Sequence, residues 1–134
     1  RYEEGFAVLM IDIDHFKEVN DLHGHPVGDA VLREVSRVLR DSFRQVDAIG
    51  RYGGEEFIVV LPHTHREAAL RTADRLRGRV EQHEFKAGGK TLRITISVGV
   101  ATCPGEGVEG PGDLVRLADE ALYRAKQAGR NRVG

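Results

Sequence analysis

The chain has 134 residues, with 20 Lys and Arg against 21 Asp and Glu and a formal net charge of −1. That length supports one domain with a real core, and the balanced charge offers no bulk field to recruit a nucleic-acid polymer. A single cysteine, Cys103, excludes an internal disulfide framework and fits a reducing compartment.

No apolar run approaches the roughly 20 residues of a membrane span, so no membrane contact is expected of this domain and a cytoplasmic location is. Residue 1 is Arg and no signal peptide is visible, so the chain is read as part of something longer. Phe6 to Ile13 is nearly unbroken apolar sequence, the mark of a strand buried on both faces. Phe16 to Leu22 forms a short helix stopped by His23-Gly24-His25-Pro26. A second helix follows over Val27 to Phe43, with Val27, Val31, Leu32, Val35, Val38, Leu39 and Phe43 as its apolar stripe. Two β-like runs, Val46 to Tyr52 and Phe57 to Leu61, flank Gly53-Gly54, which reads as a tight hairpin using glycine's access to positive φ. Thr64 to Glu84 reads as a helix with Ala68, Ala69, Leu70, Ala73, Leu76 and Val80 inward and Arg66, Arg71, Arg75, Arg77 and Arg79 largely outward. Gly88-Gly89 makes another turn, and Thr91 to Thr102 alternates as one strand. Pro104 to Gly112 is a loop. Asp113 is expected to cap a last helix that ends at Gly129. Strands interleaved with helices, including an antiparallel hairpin, give a layered α/β or α+β domain.

Two acidic features call for an explanation. Glu55 and Glu56 directly follow the glycine turn, where they repel one another. They form either a solvated turn with charged tips or a platform for a hard cation, with bare glycines admitting a phosphate. Asp12 interrupts the buried strand, and a carboxylate there is costly unless paired or metal-bound. If the first strand lies beside the hairpin, Asp12 and Glu55 meet, which favours the cation platform. An EF-hand reading of Asp12-Ile13-Asp14 fails, because Phe16 stands at the third ligand position and the loop glycine is missing. Asp14 is left as a structural acid or one that supports the metal-holding residues from behind. The pairs His23/His25 and His63/His65 have no Cys or third ligand nearby, which argues against zinc.

Arg-Tyr-Gly-Gly-Glu-Glu-Phe (51–57), together with Ile-Asp-Ile-Asp-His-Phe-Lys-Glu-Val-Asn-Asp (11–21), resembles the GGDEF family of diguanylate cyclases, over almost the whole chain from about Phe6 to Asn131. The resemblance implies a palm-like fold similar to adenylyl cyclase catalytic domains, a central five-stranded sheet surrounded by helices. It implies condensation of two GTP into cyclic di-GMP and two pyrophosphates across a two-fold homodimer. By the same likeness Asp12, Glu55 and the Ile13 carbonyl hold Mg²⁺, or Mn²⁺ in its place, and Asp12, Glu55 and Glu56 are the catalytic acids. The Asp-x-Leu-Thr-Gly-Leu-x-Asn-Arg segment that family members usually carry upstream is absent from residues 1–134, as is any sensor domain.

Other positions have two readings each. The turn through Phe16 and Lys17 opens a helix, so its free N–H groups can cradle a phosphate, as any helix N-terminus can. Lys126 and Arg130 suit a helix C-terminus, but 118–131 matches the family's final motif, whose Lys and Arg grip terminal phosphates. Asn20 and Asp29 are either helix-end residues or, by resemblance, the guanine readers, since a carboxylate accepts from guanine N1–H and its 2-amino group. Gly53 and Gly54 are expected to border the substrate. Arg44-Gln45-Val46-Asp47 stands at the register of the family's inhibitory Arg-x-x-Asp, implying that cyclic di-GMP binds back to Arg44 and Asp47, with Arg75 contributing. Two other functions remain open on these residues: a catalytically silent receptor for cyclic di-GMP, and a GTP-binding module that regulates a partner enzyme.

Overall fold

In a computed structural model of the chain the structure describes residues 5–134. Its elements, in chain order, are β1 (Phe6–Ile13), α1 (Phe16–His23), α2 (His25–Ser42), β2 (Ala48–Arg51), β3 (Glu56–Pro62), α3 (Arg66–Gln82), β4 (Phe85–Ala87), β5 (Lys90–Leu92), β6 (Ile96–Cys103) and α4 (Pro111–Gln127). The main sheet is antiparallel throughout, in the order β2-β3-β1-β6. β1 is an inner strand, between β3 and β6, with packed core on each face, which explains why Phe6–Ile13 reads as apolar on both faces. Ala7, Leu9, Ile11 and Ile13 face the larger core with α2 and α3 residues such as Val35, Leu39, Ala73 and Leu76. Val8 and Met10 face the other way, against Leu114, Ala118 and Leu122 of α4.

α4 lies against β6 at Gly99. A Cβ there would stand 2.0 Å from the Ala118 carbonyl oxygen and 2.3 Å from the Leu122 nitrogen. Both are helix backbone, which cannot step aside as a side chain can. This close approach sets how far the end of α4 reaches over the C-terminal end of β1, where the acidic residues lie.

The expected five-stranded sheet has four strands among the described residues. In fifth place is a single parallel bridge, Val98 to Val133, closed by Val98 N–H to the Arg132 carbonyl (3.0 Å) and Gly134 N–H to the Val98 carbonyl (2.8 Å). The run 91–102 is two strands. β5 pairs with the unforeseen β4 through the Gly88-Gly89 turn (φ 59° and 76°), and β6 pairs with β1. The break falls where the Arg93 guanidinium bonds the Glu81 and Gln82 carbonyls at the end of α3. Alternation survives the break because Ile94 and Ile96 are both buried. β2 is shorter than the apolar run suggests, since Asp47 is drawn into a turn with Arg44. Asp113 sits inside the first turn of α4, where its carboxylate accepts the Glu109 and Gly110 N–H groups, so Gly110 takes the cap position. No helix of the described residues is long and apolar enough to cross a membrane.

Candidate active site

The acidic residues meet because β1 and β3 are neighbours. Asp12 and Glu56 stand directly opposite each other in the register, and Ile13 N–H donates to the Glu55 carbonyl (3.3 Å), fastening the Gly-Gly-Glu-Glu turn to the end of β1. Asp12 lies on the α4 side of the sheet, nearly buried at 5% exposure. Its Oδ2 is ion-paired with Lys126 Nζ from the last turn of α4. Its Oδ1 is buried with no hydrogen-bond partner. An anionic oxygen left unpaired inside a protein is disfavoured, so Oδ1 marks a place built for a cation or donor. Burial, then the nearby Asp12 carboxylate, push the Glu55 carboxyl up to about 7, against the pull of Lys126. Burial and the Asp12 charge also raise Glu56. Two glutamates whose ionisation burial and the Asp12 charge hinder are a site awaiting positive charge.

Beside them opens a recess of about 210 Å³ lined by Asp12, Ile13, Asp14, Phe16, Lys17, Glu55, Lys126 and Arg130, among others. One wall is the start of α1. His15 precedes this helix in the left-handed region (φ 57°) and supplies no side-chain cap. The first-turn N–H groups therefore face the recess uncapped, in the concave arrangement that accepts anions. Asp14 is nearly buried and spends its carboxylate on Ser97 Oγ (2.7 Å), Thr95 Oγ1 (2.7 Å) and Asn131 N–H (3.0 Å), which makes it structural, as read from the sequence.

Gly53 and Gly54 adopt no left-handed φ, contrary to the expectation of a tight hairpin. Four residues, Tyr52 to Glu55, separate β2 from β3, and Tyr52 N–H and Gly53 N–H both donate to the Glu56 carbonyl, so the reversal is spread over ordinary backbone. What bareness provides is space: a Cβ on Gly54 would meet nothing within 4 Å. Arg51 escaped the sequence reading. Its guanidinium donates to the carbonyls of Gly53 (3.4 Å) and Gly54 (2.6 Å) and lies 5.7 Å from the Phe57 ring centroid, pinning the turn.

Asn20 and Asp29 do not line the acidic recess. Asp29 borders a separate one of about 420 Å³ with Leu32, Arg33, Ser36, Arg40 and Arg51. Asn20 packs over Gly28, where a Cβ would stand 1.8 Å from its Oδ1. Gly28 is thus the unrecognised residue that seats Asn20 beside the start of α2.

Arg44, Asp47 and Arg75 do converge, on a recess of about 240 Å³ that also includes Thr64 and Thr72. Within it Arg44 and Asp47 hold each other. The guanidinium donates to both Asp47 oxygens (Nη2 2.9 Å, Nε 3.2 Å) and to the Pro62 carbonyl (3.1 Å) and Thr64 Oγ1 (3.2 Å). Among the described residues no three His, Cys, Asp or Glu side chains group as a ready metal cage. Asp12 and Glu55 with backbone oxygen are what the acidic site offers.

Comparison with known proteins agrees with this geometry. Residues 1–132 match the family model described as diguanylate cyclase, GGDEF domain. The chain is 46% identical over 131 residues to diguanylate cyclase A of Treponema denticola, covering 98% of this chain and 35% of that protein. The chain thus spans about a third of that relative's length. It resembles the structure of the active GGEEF domain of a diguanylate cyclase from Vibrio cholerae (TM-score 0.88, 37% identity, 98% of this chain and 82% of that one). It also resembles the GGDEF domain of DgcB from Caulobacter crescentus in complex with c-di-GMP (TM-score 0.88, 34% identity, 96% and 76%).

Proposed function

The chain belongs to the diguanylate cyclase family of GGDEF domains, and from that premise we propose that it condenses two GTP into cyclic di-GMP and two pyrophosphates, in the cytoplasm. One observation carries the reading. Asp12, Glu55, Glu56 and Lys126 meet beside an uncapped helix start, so a cation-seeking acidic cluster adjoins a phosphate-seeking turn.

Asp12 and Glu55, with the Ile13 carbonyl, are the groups to hold Mg²⁺ or Mn²⁺, and the unpaired Asp12 Oδ1 together with the raised Glu55 fits that demand. Held by these residues, a divalent cation would supply activation of the attacking hydroxyl and charge stabilisation for the leaving pyrophosphate. The first-turn N–H groups of Phe16 and Lys17, with the side chains of Lys126 and Arg130, hold the phosphates. Gly53 and Gly54 leave the turn open to the nucleotide, and Asn20 and Asp29 read the guanine. The 3′-oxygen of each GTP attacks the α-phosphorus of the other. The bond to pyrophosphate breaks, and Glu56, the carboxylate not assigned to the metal, is at hand for the hydroxyl proton. Since one domain carries one such half-site, two domains face each other, a two-fold arrangement being the simplest solution. Product then binds back at Arg44, Asp47 and Arg75.

A silent receptor has no use for an orphaned Asp12 oxygen beside two raised carboxylates. A regulatory GTP-binding module could retain them. The test is to free the domain of nucleotide, add GTP and Mg²⁺ at low and high protein concentration, and separate the products. Cyclic di-GMP whose specific rate climbs with protein concentration is expected. GTP bound without turnover, even when a fused coiled coil forces dimers, assigns the regulatory module instead. Tight cyclic di-GMP binding without GTP binding assigns the receptor.

A further inference from the structure

We propose that Asn131 is a positioning residue for the phosphate end of the site, tying Arg77 and Glu81 of α3 to Asp14 and so holding Arg130 aimed into the acidic recess. The inference rests on the reading of that recess as the seat of the nucleotide phosphates, and extends it to α3 residues that form no part of its lining.

Asn131 is gripped on three sides. Its backbone N–H donates to Asp14 Oδ2 (3.0 Å), its Nδ2 donates to Glu81 Oε2 (2.8 Å), and its Oδ1 accepts from Arg77 Nη1 (3.1 Å). Arg77 also bonds Glu81 (3.1 Å) and Asp74 (2.9 Å), so the α3 end of the clamp is itself braced. At the other end Asp14 is anchored through Ser97 of β6 and Thr95 just before it, and lies next to His15, whose left-handed backbone opens α1. One asparagine thus joins α3, β6 and the phosphate-facing turn.

Arg130 needs such a hold. Gly129, Arg130 and Asn131 have successive positive φ angles of 128°, 64° and 50°. Glycine and asparagine tolerate that region, whereas arginine is disfavoured there and persists only when its flanks are fixed. One flank is fixed by Arg130 N–H to the Ala125 carbonyl (3.0 Å), the other by the Asn131 clamp. The Arg130 guanidinium makes no hydrogen bond or ion pair among the described residues, so its backbone places it at the recess and the guanidinium is free for a ligand. The hydrogen bonds from Asn131 and then Arg77 hold the Glu81 carboxyl below its ordinary range, so the clamp keeps its charge through neutral pH.

The experiment compares GTP with GMP, which lacks the outer phosphates. Asn131→Gly keeps the left-handed backbone and the N–H to Asp14 but removes the side-chain clamp, and Glu81→Ala removes it from the exposed face of α3. Each is expected to weaken GTP binding about five-fold, the scale of one ordinary hydrogen bond, because the clamp acts on the phosphates only through Arg130, while GMP binding stays within about two-fold. The double variant should be no weaker than either single, since both remove the same link. Glu81→Gln, which keeps an oxygen for Asn131 Nδ2, should bind GTP nearly as the parent does. Equal losses for GTP and GMP, or additive losses in the double variant, overturn the proposal in favour of general destabilisation. Arg130→Ala separates the two levels of inference. If it weakens GTP while Asn131→Gly and Glu81→Ala do not, only the positioning role falls. If it leaves GTP binding unchanged, the phosphate reading falls and takes the positioning role with it.

Discussion

Lys126 Nζ, in the last turn of α4, is ion-paired with Oδ2 of Asp12 near the end of β1, two residues 114 positions apart in the chain. The pairing partly offsets the repulsion among Asp12, Glu55 and Glu56 in the free domain, since the Lys126 charge opposes the rise of both glutamates. It also uses the oxygen adjacent to the unpaired Oδ1, so a cation arriving there competes with the lysine for the same carboxylate.

Lys126→Met should therefore lower the metal-free melting temperature, by about 1–2 kcal/mol of stability, because Asp12 is left buried without its cation. Mg²⁺ should restore more stability to this variant than to the parent, as read from melts with and without the ion. Equal Mg²⁺-induced shifts in the two proteins contradict the competition.

Glu55 gives a pH dependence of unusual sign. Its ordinary pKa of 4.5 is pushed up to about 7 in the folded chain. Between those values the folded state keeps a proton that the unfolded state has released, so this group withdraws stability as pH rises from about 4.5 through about 7. Without metal, Glu55→Gln should raise the melting temperature by a few degrees at pH 8 and change little at pH 5, a modest effect because the group is only part-buried. The same variant should lose cyclic di-GMP production. A variant no more stable at pH 8 would refute the raised carboxyl, and one that still turns over would refute its role in holding metal.

Arg44 and Arg75 line the same recess but differ in what their removal exposes. The Asp47 side chain is 2% exposed and depends on the Arg44 guanidinium, so Arg44→Ala should destabilise the domain by about 2–3 kcal/mol as well as relieve product inhibition. Arg75 lies on an exposed face with no hydrogen bond or ion pair among the described residues, so Arg75→Ala should weaken inhibition while shifting stability by less than about 0.5 kcal/mol. Inhibition curves and melts for both variants check this. An unchanged curve for Arg75→Ala removes it from the site.

Gly28→Ala separates stability from recognition. Alanine in place of a helical glycine contributes up to about 1 kcal/mol, and the atoms it would strike belong to the movable Asn20 side chain, with the Phe16 ring 3.3 Å away needing only a small shift. The melting temperature should hold or rise slightly. Displacing Asn20 should weaken GTP binding and narrow the preference for GTP over ATP, measured by competition. Unaltered nucleotide preference would show that Asn20 reads no base.

The sequence alone determined the local elements and the chemistry each could carry. An unbroken apolar run implied a buried strand, apolar faces implied the second and third helices, Asp113 and Gly129 bounded the last, and Gly88-Gly89 implied a turn. A lone Asp12 in apolar surroundings demanded a partner because burial without one is costly. The motif spacing carried the family resemblance. Sequence could not show which partner, because pairing across 114 residues depends on how closely α4 settles on Gly99. Nor could it show that Thr91–Thr102 divides, because both halves keep the alternation that defines a strand while hydrogen bonding to different partners. Arg51, Gly28 and Asn131 escaped notice for a related reason. Each acts through a neighbour's shape or a backbone carbonyl, and such roles arise only when the chain has closed on itself. The tertiary structure likewise decided that Arg44 and Asp47 grip one another. Opposite charges three residues apart in a turn satisfy each other in the folded chain, so any ligand at that recess must compete with a bond already made.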